Sequence, residues 1–423
     1  MTELIIPAEA PDLTQLKEQR MDRIARRMIL ALLKRLAHGR ITLVEKGHRH
    51  HFGGRSDRFS LQAVITVHHP HLYTRIFFGG SIGAAEAYME GLWSADDLTM
   101  VMRILALNQK AFADMEKGLA RLTAPFHKFY HYVRKNTKAG SRKNILAHYD
   151  LGNDFYALFL DESMTYSCGI FEQVNSTLKE ASEAKYDRIC RKLQLSDADQ
   201  VVEIGTGWGG FAEHAARNYG VHVTTTTISD EQHQFAQNRI KAAGLDNKFT
   251  LLKQDYRDLS GKFNKLVSIE MIEAVGHQYL NNFFGVCSRL LKDDGMMALQ
   301  AITISDQIFD RHKRSVDFIK RYIFPGSCIP SITAINNAIA RATDLRLVHL
   351  EDITSHYART LYEWRQRFFA NIEKVRALGF SDTFIRMWEY YFCYCEGGFA
   401  ERYIGDVQMV FAKPLCRSID LLV

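Results

Sequence analysis

The run Val201-Val-Glu-Ile-Gly-Thr-Gly-Trp-Gly-Gly210 constrains the fold of this 423-residue chain more than any other stretch. Gln200–Ile204 is an apolar segment of strand length, and it leads directly into Gly205-Thr-Gly207. Missing side chains there let the backbone approach a ligand closely. A helix through Tyr219 is expected to follow. Strand, glycine turn and helix in that order are the opening unit of an open, mostly parallel sheet, which binds ligands at the carboxyl ends of its strands. Gly205, Gly207 and Gly210 also satisfy the Gly-x-Gly-x-x-Gly spacing of dinucleotide sites, so the loop alone does not choose its ligand.

The remainder of the chain repeats the unit. Val221–Thr227, Phe249–Lys253, Leu266–Ile269, Met296–Ile304 and Val407–Phe411 read as further strands, with helices between most of them, including Asp230–Ala243. A helical insertion is expected over about 308–371. Two details favour S-adenosylmethionine over a dinucleotide. The acidic Glu203 lies inside the strand before the turn. The end of the next strand, Thr224-Thr-Thr-Thr-Ile-Ser-Asp-Glu-Gln232, offers hydroxyls and an amide to a ribose, where dinucleotide enzymes keep a carboxylate.

The first third differs in character. Residues 1–143 hold 23 Lys and Arg against 13 Asp and Glu, a net of +10, while the rest hold 31 against 35, a net of −4. Such a region is drawn to a polyanion, either nucleic acid or an anionic membrane face. It contains no recognised nucleic-acid reader motif, so an anionic membrane face and a solvated basic surface without a partner are the readings that stay open. Leu16–His38 has apolar residues at helical spacing (Leu16, Ile24, Met28, Ile29, Ala31, Leu32, Leu36) among basic side chains including Arg20, Arg23, Arg26, Arg27, Lys34 and Arg35, a pattern that suits a helix lying on a membrane or packing on its own domain. Ser60–His68 and Tyr73–Phe78 carry β character, Gly79-Gly-Ser81 reads as a turn, and helices are expected at Ile82–Glu90 and Leu98–Asn108. The expected organisation is a small basic α+β domain over 1–133, a charged linker over 134–143, and a larger domain over 144–423.

No apolar run is long enough to cross a bilayer, and Met1–Pro11 lacks the layout of a signal peptide, so a cytoplasmic protein in peripheral contact with membrane is expected. The seven cysteines are scattered and read as reduced thiols. Two histidine clusters (His48, His50, His51 and His68, His69, His71) lack cysteine or carboxylate partners at zinc spacing, so no metal is expected.

Beyond these patterns, the chain resembles the cyclopropane-fatty-acyl-phospholipid synthases, kin of the mycolic-acid methyltransferases, from about Tyr73 to Pro414. The resemblance is carried by His148-Tyr-Asp-Leu-Gly-Asn-Asp-Phe-Tyr156, Met164-Thr-Tyr-Ser-Cys168, Glu203–Gly210, Ile228-Ser-Asp-Glu-Gln232, Ser268-Ile-Glu-Met-Ile-Glu-Ala-Val-Gly276, Tyr322-Ile-Phe-Pro-Gly326 and His356-Tyr-Ala-Arg-Thr-Leu361. Gly79-Gly-Ser-Ile-Gly83 and Glu86–Trp93 extend it into the first domain. It implies a Rossmann-like class I methyltransferase domain with a mixed, mostly parallel sheet, preceded by an N-terminal lipid-binding domain.

The implied reaction moves a methyl(ene) group from S-adenosylmethionine to the cis double bond of an unsaturated acyl chain in membrane phospholipid. A cyclopropane results with ring closure, and a methyl- or methylene-branched chain without it. The resemblance further implies that Tyr166, Ser167, Gly205, Gly207, Thr227, Gln232, Asp255 and Tyr256 join Glu203 in the cofactor pocket. It also implies that a bicarbonate ion accepts the proton, held by Cys168 through its backbone amide, Glu273, Tyr357 and the backbone at Ile302, and that the protein is a homodimer. One departure bears on this. Gln300 stands where the family often has His; an amide donates to an anion but carries no charge and shuttles no proton. Thr206 replaces a more usual Cys in the glycine loop.

A carbocation on the acyl chain needs shelter from water and aromatic faces, each worth about 0.5–2 kcal/mol. Tyr149, Phe155, Tyr156, Tyr166, Phe171, Tyr322, Phe324 and Tyr357 are candidate rings, with ordinary core packing as their alternative role. An amine or small-molecule methyltransferase would be expected to lack the Cys168, Glu273 and Tyr357 set, and a non-catalytic lipid-binding or nucleic-acid-binding protein would fail to bind the cofactor.

Overall fold

A computed structural model describes residue 13 and residues 16–54, 60–111 and 151–417. The expected linker at 134–143, the start of the His148–Tyr156 motif and Tyr149 lie outside the described residues.

Two sheets organise the chain. The first has four strands, β1 (Arg40–Glu45), β2 (His48–Phe52), β3 (Gln62–Val67) and β4 (Trp93–Ala95), in the order β2-β1-β3-β4. Around it lie α1 (Arg20–Leu33), α2 (His71–Met89) and α3 (Leu98–Leu107). Strand β1 alternates half-buried and buried residues, placing Ile41 and Leu43 in the core beneath Ala25 and Ile29 of α1.

The second sheet has seven strands: β5 (Gln200–Ile204), β6 (His222–Thr227), β7 (Phe249–Lys253), β8 (Phe263–Ile269), β9 (Leu291–Ile304), β10 (Arg346–Asp352) and β11 (Ile404–Ala412). Their order is β10-β11-β9-β8-β5-β6-β7. Strands β5 to β9 pair in parallel, while β11 runs antiparallel between β9 and β10. Val201, Val202, Leu266, Val267, Met297 and Ala301 are fully buried, as a sheet covered on both faces requires. The covering helices include α4 (Leu178–Lys192), α5 (Gly210–Tyr219), α6 (Asp230–Ala242), α7 (Leu280–Leu290), α8 (Ile332–Ala342), α9 (Thr354–Ala370) and α10 (Asp382–Ala400). The sequence reading of these parallel strands agrees with the structure to within a few residues at each end.

Three expectations need correction. Tyr73–Phe78 is helical and belongs to α2, which starts after Pro70. A short apolar run has no period that separates strand from helix, and the buried Leu72 and Tyr73 pack as a helical pair facing the core. The expected turn at Gly79–Ser81 is a kink inside this helix, with Gly80 at φ 57° and ψ −135°, a conformation only glycine adopts readily. The insertion over 308–371 is not wholly helical, because it contains β10, an edge strand of the main sheet. None of its residues is fully buried and four of the seven (Arg346, His349, Glu351 and Asp352) are polar, so no apolar run marks the strand.

The first sheet shares its apolar core with helices α9 and α10. Helix α10 packs against α2 and α3, with Trp388, Phe392 and Phe399 in the same apolar cluster as Ala85, Val101 and Met102. Buried polar contacts join them: the Tyr88 hydroxyl donates to Glu389 (2.7 Å), Thr99 to Glu396 (3.1 Å), and Tyr322 to Glu86 (2.6 Å). Sequence reading located neither α10 nor its role as the shared wall.

Candidate active site

The glycine turn after β5 adopts the backbone that its residues allow. Gly205 (φ 101°) and Gly207 (φ 52°) occupy the left-handed half of conformational space. A side chain on Gly205 would meet Met271 at 3.2 Å, and one on Gly210 would meet the Tyr186 hydroxyl at 2.7 Å. The first glycine therefore frees the loop and the third lets α5 sit close to α4.

Beside the turn, Glu203 is buried and accepts from Thr225 (2.6 Å), whose Oγ1 also lies 2.7 Å from that of Thr206. Burial holds the Glu203 carboxyl up at about 8. Thr206 is thus part of a hydroxyl network rather than a gap. At the end of β6, Thr227 donates to the Gln232 side-chain oxygen (2.9 Å), fixing the first turn of α6. Asp255 is gripped by Arg257 through contacts of 2.7 and 2.6 Å.

One cavity of about 790 Å³ collects these groups. Tyr166, Ser167, Glu203, Gly205, Gly207, Thr227, Gln232, Asp255 and Tyr256 all line it. It then passes Glu270, Glu273, Ile302, Tyr357 and Tyr391 and continues into the first sheet's domain, between Ile29, Leu33, Ile41, Ile65, Ile82 and Val101. The donor and acceptor set at the first end, with a glycine turn, a buried acid and strand-end hydroxyls, fits S-adenosylmethionine.

The carboxylates in the middle differ from expectation. Glu270 stands at the end of β8 with φ 48°, a backbone that costs a residue with a side chain roughly 1–2 kcal/mol. Its Oε1 accepts from the Cys168 backbone amide (2.8 Å) and from Gln300 Nε2 (2.8 Å), and its Oε2 accepts from the Tyr357 hydroxyl (2.6 Å). Glu273, three residues on, accepts from the Ile302 amide through Oε1 (2.6 Å). Among the described residues its buried Oε2 has no hydrogen-bond partner. Burial, then the neighbouring Glu270, raises the Glu273 carboxyl to about 8. Burial, then Glu270 and Glu273, pushes the Asp406 carboxyl well above the usual carboxylate range.

Residues assigned to a bicarbonate site are therefore brought together, but around a different centre. Cys168, Gln300 and Tyr357 converge on Glu270, and only Ile302 meets Glu273. All four donors are engaged by two protein carboxyl groups, so none of them is left for a further anion. The group present does not fit bicarbonate.

The Cys168 amide, expected to hold bicarbonate, donates to Glu270 instead. Burial raises its thiol well above the normal range, and the thiol donates to the Gly169 carbonyl. Gln300 is locked by Gln408 Nε2, which donates to its Oε1 at 3.0 Å, leaving Nε2 directed at Glu270.

Sequence reading missed Glu270, Asp406 and Lys185. Glu270 had a legible signal, being a second acid three residues before Glu273 in the same motif. Lys185 is wholly buried and donates to Ser167 (2.7 Å); burial lowers its ammonium to about 8. Of the candidate rings, Tyr166, Phe324 and Tyr357 line the cavity, joined by Tyr391, whose hydroxyl lies 3.0 Å from that of Tyr166. Phe155, Tyr156 and Phe171 do not line it; Phe155 packs on Trp388 (4.7 Å) and Phe171 lies under Arg359 (4.1 Å). Tyr322 is also a packing ring, beside Phe318. The histidine clusters hold structure: His69 bonds the Leu16 carbonyl and His71 pairs with Asp22. Among the described residues no group of His, Cys, Asp and Glu is arranged to hold a metal.

The seven-stranded sheet with its antiparallel β11, and the acid-plus-glycine turn at the carboxyl end of β5, define a class I methyltransferase. Comparison with known proteins sharpens this: the mycolic acid cyclopropane synthetase family matches residues 136–409, and the chain belongs to that family. It is 37% identical over 357 residues to the tuberculostearic acid methyltransferase UfaA1 of Mycobacterium tuberculosis, covering 82% of this chain and 83% of that protein. It is also 37% identical to the cyclopropane-fatty-acyl-phospholipid synthase of Escherichia coli K12, over 84% of this chain and 89% of that one. Among solved structures, the mycolic acid cyclopropane synthase CmaA1 complexed with SAH and CTAB superposes with a TM-score of 0.59 at 32% identity, covering 64% of this chain and 98% of the other.

Proposed function

We propose that this methyltransferase carries a one-carbon unit from S-adenosylmethionine to the cis double bond of an unsaturated acyl chain of membrane phospholipid, closing a cyclopropane ring. The observation that carries the reading is the single cavity, which joins the glycine turn to an apolar passage through the first domain. The Escherichia coli relative, a cyclopropane-fatty-acyl-phospholipid synthase, supports it.

When bound, S-adenosylmethionine supplies an electrophilic methyl group, strong enough for a poor nucleophile such as an alkene. The chain's residues do the remainder. Apolar Ile41, Ile65, Ile82 and Val101 hold hydrocarbon and exclude water from the carbocation that methyl transfer leaves. Tyr166, Tyr357, Tyr391 and Phe324 place aromatic faces around the reacting region. No step is routed through bicarbonate, because its donors are already engaged.

Access from a membrane fits helix α1. Ile29, Leu32 and Leu33 on its inner side line the cavity. On its outer side Met21, Ile24 and Met28 are 38%, 45% and 51% exposed, flanked by the exposed Arg20, Arg23 and Arg27. An exposed apolar stripe between basic side chains suits the interface of an anionic bilayer. No described helix is long and apolar enough to cross a membrane. The proposed small basic domain over 1–133 would hold the bilayer face, and two copies would pair through it.

Incubation with methyl-labelled S-adenosylmethionine and unsaturated phospholipid vesicles should label the acyl chains, and the labelled product should resist ozonolysis. Unlabelled lipid would end this reading. A labelled but ozonolysis-sensitive product would establish the branched outcome, which the 37%-identical tuberculostearic acid methyltransferase supports as the second reading. Vesicle binding should weaken with salt and in an Arg23→Glu/Arg27→Glu variant, and sedimentation should show a dimer.

A further inference from the structure

We infer that the Glu270 carboxylate is the built-in proton acceptor of this enzyme, standing where a bound inorganic anion would otherwise be needed. The inference rests on the proposed acyl-chain reaction and concerns only its base. Three lines on the structure lead to it.

The first is convergence. Donors from three separate parts of the chain meet on one side chain: the Cys168 amide, Gln300 on β9 and Tyr357 on α9. Gln300 is itself braced by Gln408 on β11, which is braced by Lys192 (2.7 Å). Such bracing holds the carboxylate in one orientation, as a base acting on a C–H bond requires.

The second is backbone. Glu270 is one of five described non-glycine residues at positive φ, and it is the one among them whose side chain carries this network while lining the cavity. A left-handed position is the natural place for glycine. A glutamate retained there uses its side chain.

The third is substitution of charge for charge. A carboxylate has the planar, two-oxygen, singly negative end of a bicarbonate ion. Tethered to the strand end, it costs no binding step. Glu273 cannot fill the role equally, since burial and the neighbouring Glu270 hold its carboxyl near 8 while the Ile302 amide engages its Oε1. It is better suited to keep a proton than to take one.

The step balances without an added reagent. After methyl transfer the acyl chain carries a carbocation beside the new methyl group. An oxygen of Glu270 takes one proton from that methyl. The C–H electron pair forms the carbon–carbon bond that closes the ring, and the cation is neutralised. Glu270 becomes a carboxylic acid and returns its proton to water when the product leaves.

The wild-type protein in buffer stripped of carbon dioxide should turn over within about twofold of its rate with bicarbonate added. Glu270→Gln keeps the shape and loses the base, so turnover should fall by about 10²–10⁴, the range of general base catalysis, with S-adenosylmethionine affinity unchanged. Glu270→Gly opens the space and frees the three donors. Its turnover should also fall, and added bicarbonate, but not chloride, should restore part of it. Carbon NMR of isotopically labelled bicarbonate gives a readout independent of turnover: binding to Glu270→Gly and none to wild type. Loss of wild-type activity on bicarbonate removal, wild-type bicarbonate binding, or undiminished turnover in Glu270→Gln would each overturn the inference. Failure of the wild type to label lipid at all would instead strike the acyl-chain reading, while the NMR comparison would still decide what occupies the anion position.

Discussion

The two ends of the cavity are built in different ways. The cofactor end is mostly local: Glu203, Gly205, Gly207, Thr227 and Gln232 fall within thirty consecutive residues on β5, β6 and the turns that follow them. The acceptor region is assembled from afar. Cys168, Glu270, Gln300, Tyr357 and Asp406 come from five segments spread over more than half the chain, and no two are adjacent in sequence. Local construction ties the cofactor end to one motif whose geometry tolerates little change. Distributed construction lets a single side chain, such as Glu270 or Gln300, alter the chemistry while the fold stays as it is.

The largest effect should follow from attacking the local end. Gly205→Val places a β-branched side chain at φ 101° against Met271, so it both strains the backbone and crowds the loop. Cofactor binding measured by calorimetry should weaken by about a hundredfold or more, equivalent to roughly 3 kcal/mol, and turnover should vanish with it. Retained affinity would mean that the glycine turn is not the cofactor cradle.

A smaller and more selective effect is expected at the distributed end. Tyr357→Phe removes one donor, at 2.6 Å, from Glu270 and keeps the ring stacked on Phe399. A hydrogen bond to a charged group is worth about 1.5–3 kcal/mol. Turnover should therefore fall by roughly tenfold to a hundredfold while cofactor affinity holds. Equal losses in both would erase the distinction between the two ends.

The mildest test reads stability against pH. Glu203 and Glu273 have carboxyls raised from about 4.5 to about 8 in the folded protein, both primarily by burial. Between those values the folded chain keeps protons that the unfolded chain has released, so stability should decline as pH rises from about 5 to 8. Glu203 sits at the cofactor end of the cavity and Glu273 in the acceptor region at its middle. Glu273→Gln should flatten part of the decline in melting temperature by a few degrees, and Glu203→Gln another part. An unchanged slope in both variants would show that neither acid is held in its protonated form.

Much of the fold is legible in the chain because the central parallel strands are buried on both faces and so appear as apolar runs, as Gln200–Ile204 does; the edge strand Phe249–Lys253, which has no buried residue, agrees to the residue as well. Strand β10 was hidden because it is an edge, with polar residues at half its positions. The first part of α2 reads as a strand because the four apolar and aromatic residues of Tyr73–Phe78 carry no decisive period. The site divided in the same way. Every expected cofactor residue lines the cavity, whereas the centre of the acceptor cluster shifted from Glu273 to Glu270.

By itself, then, the sequence determined the class of fold, the glycine turn and the family, because these depend on residues near one another in the chain and on patterns of burial. Which of two acids in Glu270-Met-Ile-Glu273 receives the donors was decided only in three dimensions. The φ of 48° at Glu270 and the approach of β9 and α9 set that choice, and neither is encoded by residues that neighbour it in the chain.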